Sequence, residues 1–128
     1  MIVLDASAAL AILLEEPDAE LLEGKLAQAS NILMSPVNLW EVLVRARAFD
    51  GEDGERGAET FLTGLDVNVV PIDIEIARTA STAFARFGKR TPAGLNMGDC
   101  FAYALAKARD APLLFKGGDF ARTDVRVA

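Results

Sequence analysis

Four carboxylates stand out in this 128-residue chain because each interrupts an apolar or tightly turning stretch. Asp5 follows the apolar run IVL, and Asp119 lies in the glycine-containing turn FKGGDF. Glu41 lies within the apolar helical pattern NLWEVLV, and Asp99 stands near the head of MGDCFAYALA. Clustered carboxylates repel one another unless a cation neutralises them, and hard oxygen ligands suit Mg²⁺ or Mn²⁺. Together the four acids therefore indicate a metal site, whose ion would activate water and stabilise charge that develops on a phosphate.

Taken singly, each acid also has an ordinary structural explanation. Asp5 can cap the helix that follows it, and Asp119 can belong to a plain turn. Glu41 and Arg45 are spaced for a surface ion pair, which contributes only a few tenths of a kcal/mol. Asp99 can sit in a first helical turn, where a negative charge gains about 0.3–1 kcal/mol from the helix dipole. The sequence leaves these explanations open beside the metal site.

The amino-acid composition excludes several kinds of catalytic and metal-binding site. The chain has no histidine, which excludes Ser-His-Asp catalysis, Cys-His catalysis and histidine metal ligands. Its single cysteine, Cys100, cannot form an internal disulfide and is expected in the core, which favours a reducing, cytoplasmic setting. No apolar run approaches the roughly 18 residues that would span a bilayer. Because the net charge is −6, binding of a polyanion would need local positive charges or bound cations.

Short apolar runs alternate with helical patterns, which predicts one α/β domain over 1–128 with a parallel sheet covered by helices. About five strands are predicted, over 2–4, 31–35, 67–70, 112–115 and 125–127. Helices are predicted over 7–16, 18–29, 36–48, 57–64, 73–87 and 98–109, the third and fifth opened by the caps Ser35 and Asp73. The acidic stretch 50–57 is predicted as a loop. Ligands bind outside the carboxyl ends of parallel strands, where Asp5, Asp73 and Asp119 are expected.

Three segments of the chain resemble the PIN-domain family, and specifically the VapC-type toxin ribonucleases of bacterial toxin–antitoxin pairs. MIVLDASAALAILLEEPDAE resembles the family's opening strand, first acid and first helix. MSPVNLWEVLVRA resembles the segment that carries the second acid. RFGKRTPAGLNMGDCFAYALAKARDAPLLFKGGDFARTDV resembles the family's most distinctive stretch, so the resemblance runs from end to end.

The resemblance implies an α/β/α sandwich around a parallel sheet of about five strands. It also implies that Asp5, Glu41, Asp99 and Asp119 match the family's acidic quartet, which holds Mg²⁺ or Mn²⁺. The implied activity is metal-dependent endonucleolytic hydrolysis of RNA, in which an activated water attacks phosphorus in line and leaves a 5′-phosphate and a 3′-hydroxyl. The implied partners are an RNA substrate, a cognate VapB-type antitoxin that blocks the site, and a second copy in a homodimer.

Further residues gain expected roles from the same resemblance. Ser7 matches a hydroxyl near the site that supports the first acid or the substrate. Arg86, Lys89, Arg90 and Lys116 are candidates to line a path for the RNA backbone, with a solvated charged face as the alternative. A groove for an antitoxin helix is also expected, with core packing as the alternative for its candidates Leu10, Leu13, Leu14, Leu21 and Leu22.

Two positions depart from the family pattern. Gly118 stands where relatives often carry an asparagine before the last acid, which removes one polar contact near the metal. Thr91 stands where relatives often have a histidine before the proline of the loop. We expect these departures to alter substrate contacts rather than to abolish the chemistry.

Two other functions compete with a nuclease. In a phosphorylatable receiver domain, Asp5, Asp73 and Lys116 would lie near the ends of strands one, three and four. Against this, Asp5 has no adjacent acid, and Glu41 and Asp99 would have no role. The other alternative is a catalytically silent PIN module that only binds a partner, although all four acids are present.

Overall fold

The computed structural model describes residues 1–128 and contains a four-stranded parallel sheet. Its strands are Ile2–Leu4 (β1), Ile32–Met34 (β2), Asn68–Val69 (β3) and Leu113–Leu114 (β4). They lie side by side in the order β3-β2-β1-β4, and Val3 of β1 pairs with Leu33 on one side and Leu113 on the other. Four of the five predicted strands are thereby confirmed, each over the same or a shorter range.

The fifth predicted strand, over 125–127, does not form. Val127 makes one isolated bridge to Leu113, in which the Leu113 amide donates to the Arg126 carbonyl over 2.8 Å. The chain from Gly117 to Asp124 runs in bends and turns, so only one residue pair aligns with β4. Val127 is also 66% exposed, and apolar burial therefore does little to extend the pairing.

Five helices cover the sheet, within a few residues of most predicted bounds: Ala6–Leu13 (α1), Ala19–Ala27 (α2), Pro36–Gly64 (α3), Ile74–Phe87 (α4) and Met97–Ala108 (α5). Ser35 and Asp73 cap α3 and α4, as predicted, by accepting hydrogen bonds from the amides of Val37 (3.2 Å) and Ile76 (2.8 Å). No helix combines the length and apolar character that spanning a membrane requires.

The strand side chains pack into two separate cores, one on each face of the sheet. Val3, Leu33 and Leu113 pack with residues of α4 and α5. Leu4 and Met34 pack on the other face with residues of α1, α2 and α3. Because both faces are covered there, β1, β2 and β4 are continuously apolar rather than alternating. The predicted α/β/α sandwich is confirmed, and it leaves the carboxyl ends of the strands as the open edge.

Helix α3 continues beyond its predicted end, so the prediction of a loop over 50–57 was wrong. The glycine-rich sequence causes a single break at Asp50 and Gly51, where Gly51 has a φ of +61°. Beyond the break, Ala58 and Leu62 are buried in the core that this part of α3 shares with α1 and α2. Burial of this apolar face outweighs the low helix propensity of the glycines.

Gly54 permits close contact across this break, since a Cβ built there would lie under 3.0 Å from the Ala46 carbonyl oxygen. We expect Gly54→Ala to lower the free energy of unfolding by about 1–3 kcal/mol, as overpacking does in a close-packed interior. Gly57→Ala is the matched control, because a Cβ at Gly57 meets nothing within 4 Å and helix propensity favours alanine. Urea denaturation measures both variants, and equal stabilities would contradict this packing.

Candidate active site

Asp5 lies where β1 ends and α1 begins, at the carboxyl edge of the sheet. Its Oδ2 accepts hydrogen bonds from the amide (3.0 Å) and the hydroxyl (2.5 Å) of Ser7. The residue is only 4% exposed. Burial raises the pKa of Asp5 to about 6, against the lowering effect of the Ser7 bonds and with a smaller raising effect from Glu41. Asp5 is therefore a helix cap and a desolvated acid at once.

Ser7 connects Asp5 to the end of the neighbouring strand β4. Its hydroxyl donates to Asp5 and accepts a hydrogen bond of 3.0 Å from the Lys116 amide. The Asp5 amide in turn donates to the Leu114 carbonyl over 3.0 Å. The first acid is thus held in one orientation by the backbone at the ends of β1 and β4.

Asp99 lies in the first turn of α5 and is 7% exposed. It forms a capping box with Asn96: the Asp99 amide donates to Asn96 Oδ1 over 2.9 Å, and the Asn96 amide donates to Asp99 Oδ2 over 3.1 Å. Burial raises the pKa of Asp99 to about 6, opposed by the Asn96 bond and assisted by the charges of Asp5 and Asp119. The explanation by a first helical turn is correct for this acid, and the capping box leaves Oδ1 without a protein donor.

Glu41 faces the same group of acids from α3. Its Oε1 accepts a hydrogen bond of 2.8 Å from Asn38 Nδ2, which also donates to the Gly98 carbonyl over 3.1 Å. Burial raises the pKa of Glu41, and the charge of Asp99 adds to this effect. The ion pair with Arg45 that would explain Glu41 as a surface residue does not form, although the Arg45 charge partly offsets the rise in the pKa of Glu41. The carboxylate accepts the Asn38 hydrogen bond and occupies the space beside Gly98.

Asp119 occupies the rim of this group rather than its interior. It is exposed in a turn after β4, yet its charge raises the pKa of Asp99. No three of the acids converge as a finished metal-binding set in this conformation. The donor set is nevertheless all oxygen, desolvated and mutually repulsive, which is the chemistry that Mg²⁺ or Mn²⁺ relieves. The chemistry of these residues therefore fits a divalent cation.

Lys116 and Arg86, two of the four basic residues expected to line an RNA path, have different surroundings. Lys116 adjoins Ser7, but its ammonium pairs with Glu16 over 2.8 Å and with Asp18 over 3.2 Å. Arg86 lies elsewhere: its guanidinium stands 4.7 Å from the centroid of the Phe87 ring. Of the two, only Lys116 has a contact that links it to the acidic group.

A cleft of about 640 Å³ runs beside Ser7, and part of the expected apolar groove lines it. Leu10 and Leu14 form its apolar wall, and the side chains of Arg45, Phe49 and Lys116 also border it. The other candidates differ, since Leu22 is buried in the core and Leu21 is 65% exposed.

Sequence reasoning found the acids but missed how Glu41 is held. Neither Asn38 nor Gly98 is itself an acid or a base, so neither is a candidate for chemistry by residue type. The i, i+3 spacing of Asn38 and Glu41 was a usable signal, because side chains so spaced are neighbours on a helix. The contact of Asn38 with Gly98 joins α3 to α5 and has no local signal.

The raised pKa values of Asp5 and Asp99 predict a pH-dependent stability for the metal-free protein. An acid whose pKa rises from 3.8 when unfolded to about 6 when folded stabilises the fold while protonated, and that contribution is lost as the pH rises through this window. We expect Asp99→Asn, which keeps an oxygen for the Asn96 amide, to be more stable than the unsubstituted protein at pH 7 in EDTA. The gain should be about 1 kcal/mol, since solvent at the open edge screens the charges.

Thermal unfolding at pH 4 to 8 measures this difference between the two proteins. Asp66→Asn is the control, because Asp66 is exposed and precedes β3, at the opposite edge of the sheet. A stability difference for Asp99→Asn that does not grow with pH would contradict the assigned desolvation.

Comparison with known proteins places this geometry in a family. The PIN domain model matches residues 2–126. A protein named Ribonuclease VapC from Mycolicibacterium smegmatis is 47% identical over 124 residues, which cover 96% of each chain. The fold is similar to Mycobacterium tuberculosis VapC20, described as a sarcin–ricin loop cleaving toxin, with a TM-score of 0.80 at 15% identity over 100% of this chain and 98% of that one. A toxin–antitoxin complex from Klebsiella pneumoniae has a TM-score of 0.74 at 19% identity, over 100% and 97%.

The structure argues against the receiver-domain alternative. Asp73, which it would require near a phosphorylation site, is occupied in capping α4 through the Ile76 amide. The structural matches show the fold, while the family model and the 47% identical relative show descent. The chain belongs to the PIN-domain family and, within it, to the VapC ribonucleases.

Proposed function

We propose that this protein is a metal-dependent endoribonuclease and the toxin of a VapB–VapC pair. The observation that carries the proposal is the mutual repulsion of three desolvated acids at the open edge of the sheet. Glu41 raises the pKa of Asp5, Asp99 raises that of Glu41, and Asp5 raises that of Asp99. Such a group is costly in the fold unless a cation binds it, and the 47% identical relative is named a ribonuclease.

The proposed metal ligands are Asp5, Glu41 and Asp99, with Asp119 approaching from the rim. Their free oxygens support this role: Glu41 Oε1 and Asp99 Oδ2 each accept a hydrogen bond, and the other oxygen of each carboxylate has no such partner. When bound, Mg²⁺ or Mn²⁺ would neutralise the carboxylates, activate a water and stabilise charge on the phosphate.

Protein groups around the acids have proposed roles in orientation and binding. Ser7 holds Asp5, and the capping box with Asn96 holds Asp99, so neither carboxylate has to be ordered when substrate arrives. In the cleft, Lys116 is already paired with acids, whereas Arg45 makes no ion pair within 4.0 Å. We therefore propose Arg45 as the cation of this cleft that is most available to an RNA phosphate. Lys116 would have to leave Glu16 and Asp18 before it could bind a phosphate. Arg86 has no contact that supports such a role.

The proposed protein partner is a VapB-type antitoxin, and the cleft beside Ser7 is its proposed seat. Phe49, which lines the cleft, is 75% exposed, and on a neighbouring part of the α3 surface Trp40 is 59% and Val44 41% exposed. An amphipathic helix that covered them would also cover the approach to the acids. The similar Klebsiella pneumoniae chain is part of a toxin–antitoxin complex. A homodimer is proposed on the same family grounds. A cytoplasmic location is proposed because the proposed substrate is RNA.

Purified protein free of antitoxin should cleave RNA only with a divalent metal. We expect cleavage within a panel of transfer and ribosomal RNAs in Mg²⁺ or Mn²⁺, none in EDTA, and new 5′-phosphate ends on sequencing. Asp99→Asn should lower the rate by about 10²-fold or more, the scale on which loss of electrostatic stabilisation acts. Asp66→Asn is the matched control and should cleave normally. An intact panel with both metals would refute the nuclease and favour a silent binding module.

Expression in cells tests the toxin assignment separately. We expect growth arrest with the unsubstituted protein, normal growth with a folded Asp99→Asn protein, and rescue of arrest by co-expression of a cognate VapB-type antitoxin. Arrest by folded Asp99→Asn protein would contradict the role of this acid.

A further inference from the structure

We propose that Gly98 and Asn38 are positioning residues that together fix the carboxylate of Glu41 opposite Asp99. This inference rests on the proposed metal-dependent nuclease and deepens it. It assigns two residues that are neither metal ligands nor substrate contacts. Gly98 acts by leaving space for the carboxylate, and Asn38 acts by donating two hydrogen bonds.

Gly98 leaves the space that the carboxylate occupies. A Cβ built on Gly98 would lie under 3.0 Å from Oε1, Cδ and Oε2 of Glu41 at once, and no other atom is nearer to it. The neighbour is the mobile end of a side chain rather than backbone. A methyl group at Gly98 would therefore move Glu41 and leave the helices in place. Gly98 has no positive φ, so its backbone does not require glycine.

Asn38 holds the same carboxylate from the other side. It is fully buried, and both bonds come from its Nδ2, to Glu41 Oε1 and to the Gly98 carbonyl. The opposite amide orientation would set Oδ1 against two oxygens, so these acceptors fix which way the amide points. In this orientation Asn38 Oδ1 is buried without a hydrogen-bond partner. A buried acceptor left in this way opposes stability, which favours a functional reason for retaining Asn38.

The hydrogen bond from Asn38 to the Gly98 carbonyl also connects helices α3 and α5. The Gly98 carbonyl precedes Asp99 in the first turn of α5, whereas Asn38 and Glu41 are one turn apart on α3. A single amide group thus bonds to the second acid and to the backbone next to the third. A metal ion that needs both acids would meet them already in register, so less ordering is required on binding.

The test compares Gly98→Ala with Gly57→Ala, the same substitution in a helix where a Cβ meets nothing within 4 Å. Mn²⁺ affinity is measured by calorimetry, the unfolding midpoint in EDTA by circular dichroism, and RNA cleavage in parallel. For Gly98→Ala we expect an unfolding midpoint at or above that of the unsubstituted protein. We also expect Mn²⁺ affinity weaker by about 10- to 100-fold, as for loss of groups that orient metal ligands. Gly57→Ala should change neither affinity nor cleavage.

A double-mutant cycle shows whether Gly98 acts through Glu41. Glu41→Gln alone should weaken Mn²⁺ binding, and adding Gly98→Ala to it should weaken binding little further, because the carboxylate to be positioned is already gone. Asn38→Ala should follow the same pattern. If that variant does not fold, the Gly98→Ala cycle decides the proposal by itself.

Two results would overturn the inference while leaving the nuclease intact. One is unchanged Mn²⁺ affinity in Gly98→Ala, and the other is full additivity with Glu41→Gln. A failure of the proposed function has a different signature, because the unsubstituted protein itself would then bind no Mn²⁺ and cleave no RNA.

Discussion

The structure depends on keeping like-charged, desolvated carboxylates together at one edge of a sheet. Burial raises the pKa of both Asp5 and Asp99 to about 6, and each also feels the charge of another acid of the group. One donor residue holds each acid of the inner group, and the pairs are Ser7 with Asp5, Asn38 with Glu41, and Asn96 with Asp99. Such donors orient the carboxylates without neutralising them. Their repulsion therefore persists, and binding of a divalent cation would relieve it.

The topology determines which elements supply these acids. Strand β1 lies at the centre of the order β3-β2-β1-β4, so Asp5 leaves the middle of the sheet. Helix α3 follows β2 and helix α5 packs on the opposite face, so Glu41 and Asp99 approach from either side of Asp5. The two cores are separate, and the acids lie where both reach the open edge. Rigid packing on each face is what holds charges that repel one another.

Local features of the sequence made part of this arrangement predictable. Asp5 and Asp99 could be found because a strand end and a first helical turn are both visible over a few residues. The contacts that position Glu41 could not be predicted, because Asn38 bonds to Gly98 across 60 positions of the chain. The continuation of α3 past Gly51 was hidden in the same way, since the burial of Leu62 that favours it is tertiary. The ion pair of Lys116 with Glu16 could not be predicted either, because the two residues are 100 positions apart in the chain.

For Asp5 and Asp99, the structural and chemical explanations proved to be compatible. Each lies at the N-terminus of a helix, where unpaired amides and the helix dipole favour negative charge. That stabilisation partly offsets desolvation and repulsion, which allows both acids to remain at the edge before any metal arrives. Glu41 lies further along α3, away from such a terminus, and has the Asn38 amide instead. The acid least supported by a helix end is thus the one that most needs neighbouring residues to position it, which explains why Gly98 and Asn38 converge on Glu41.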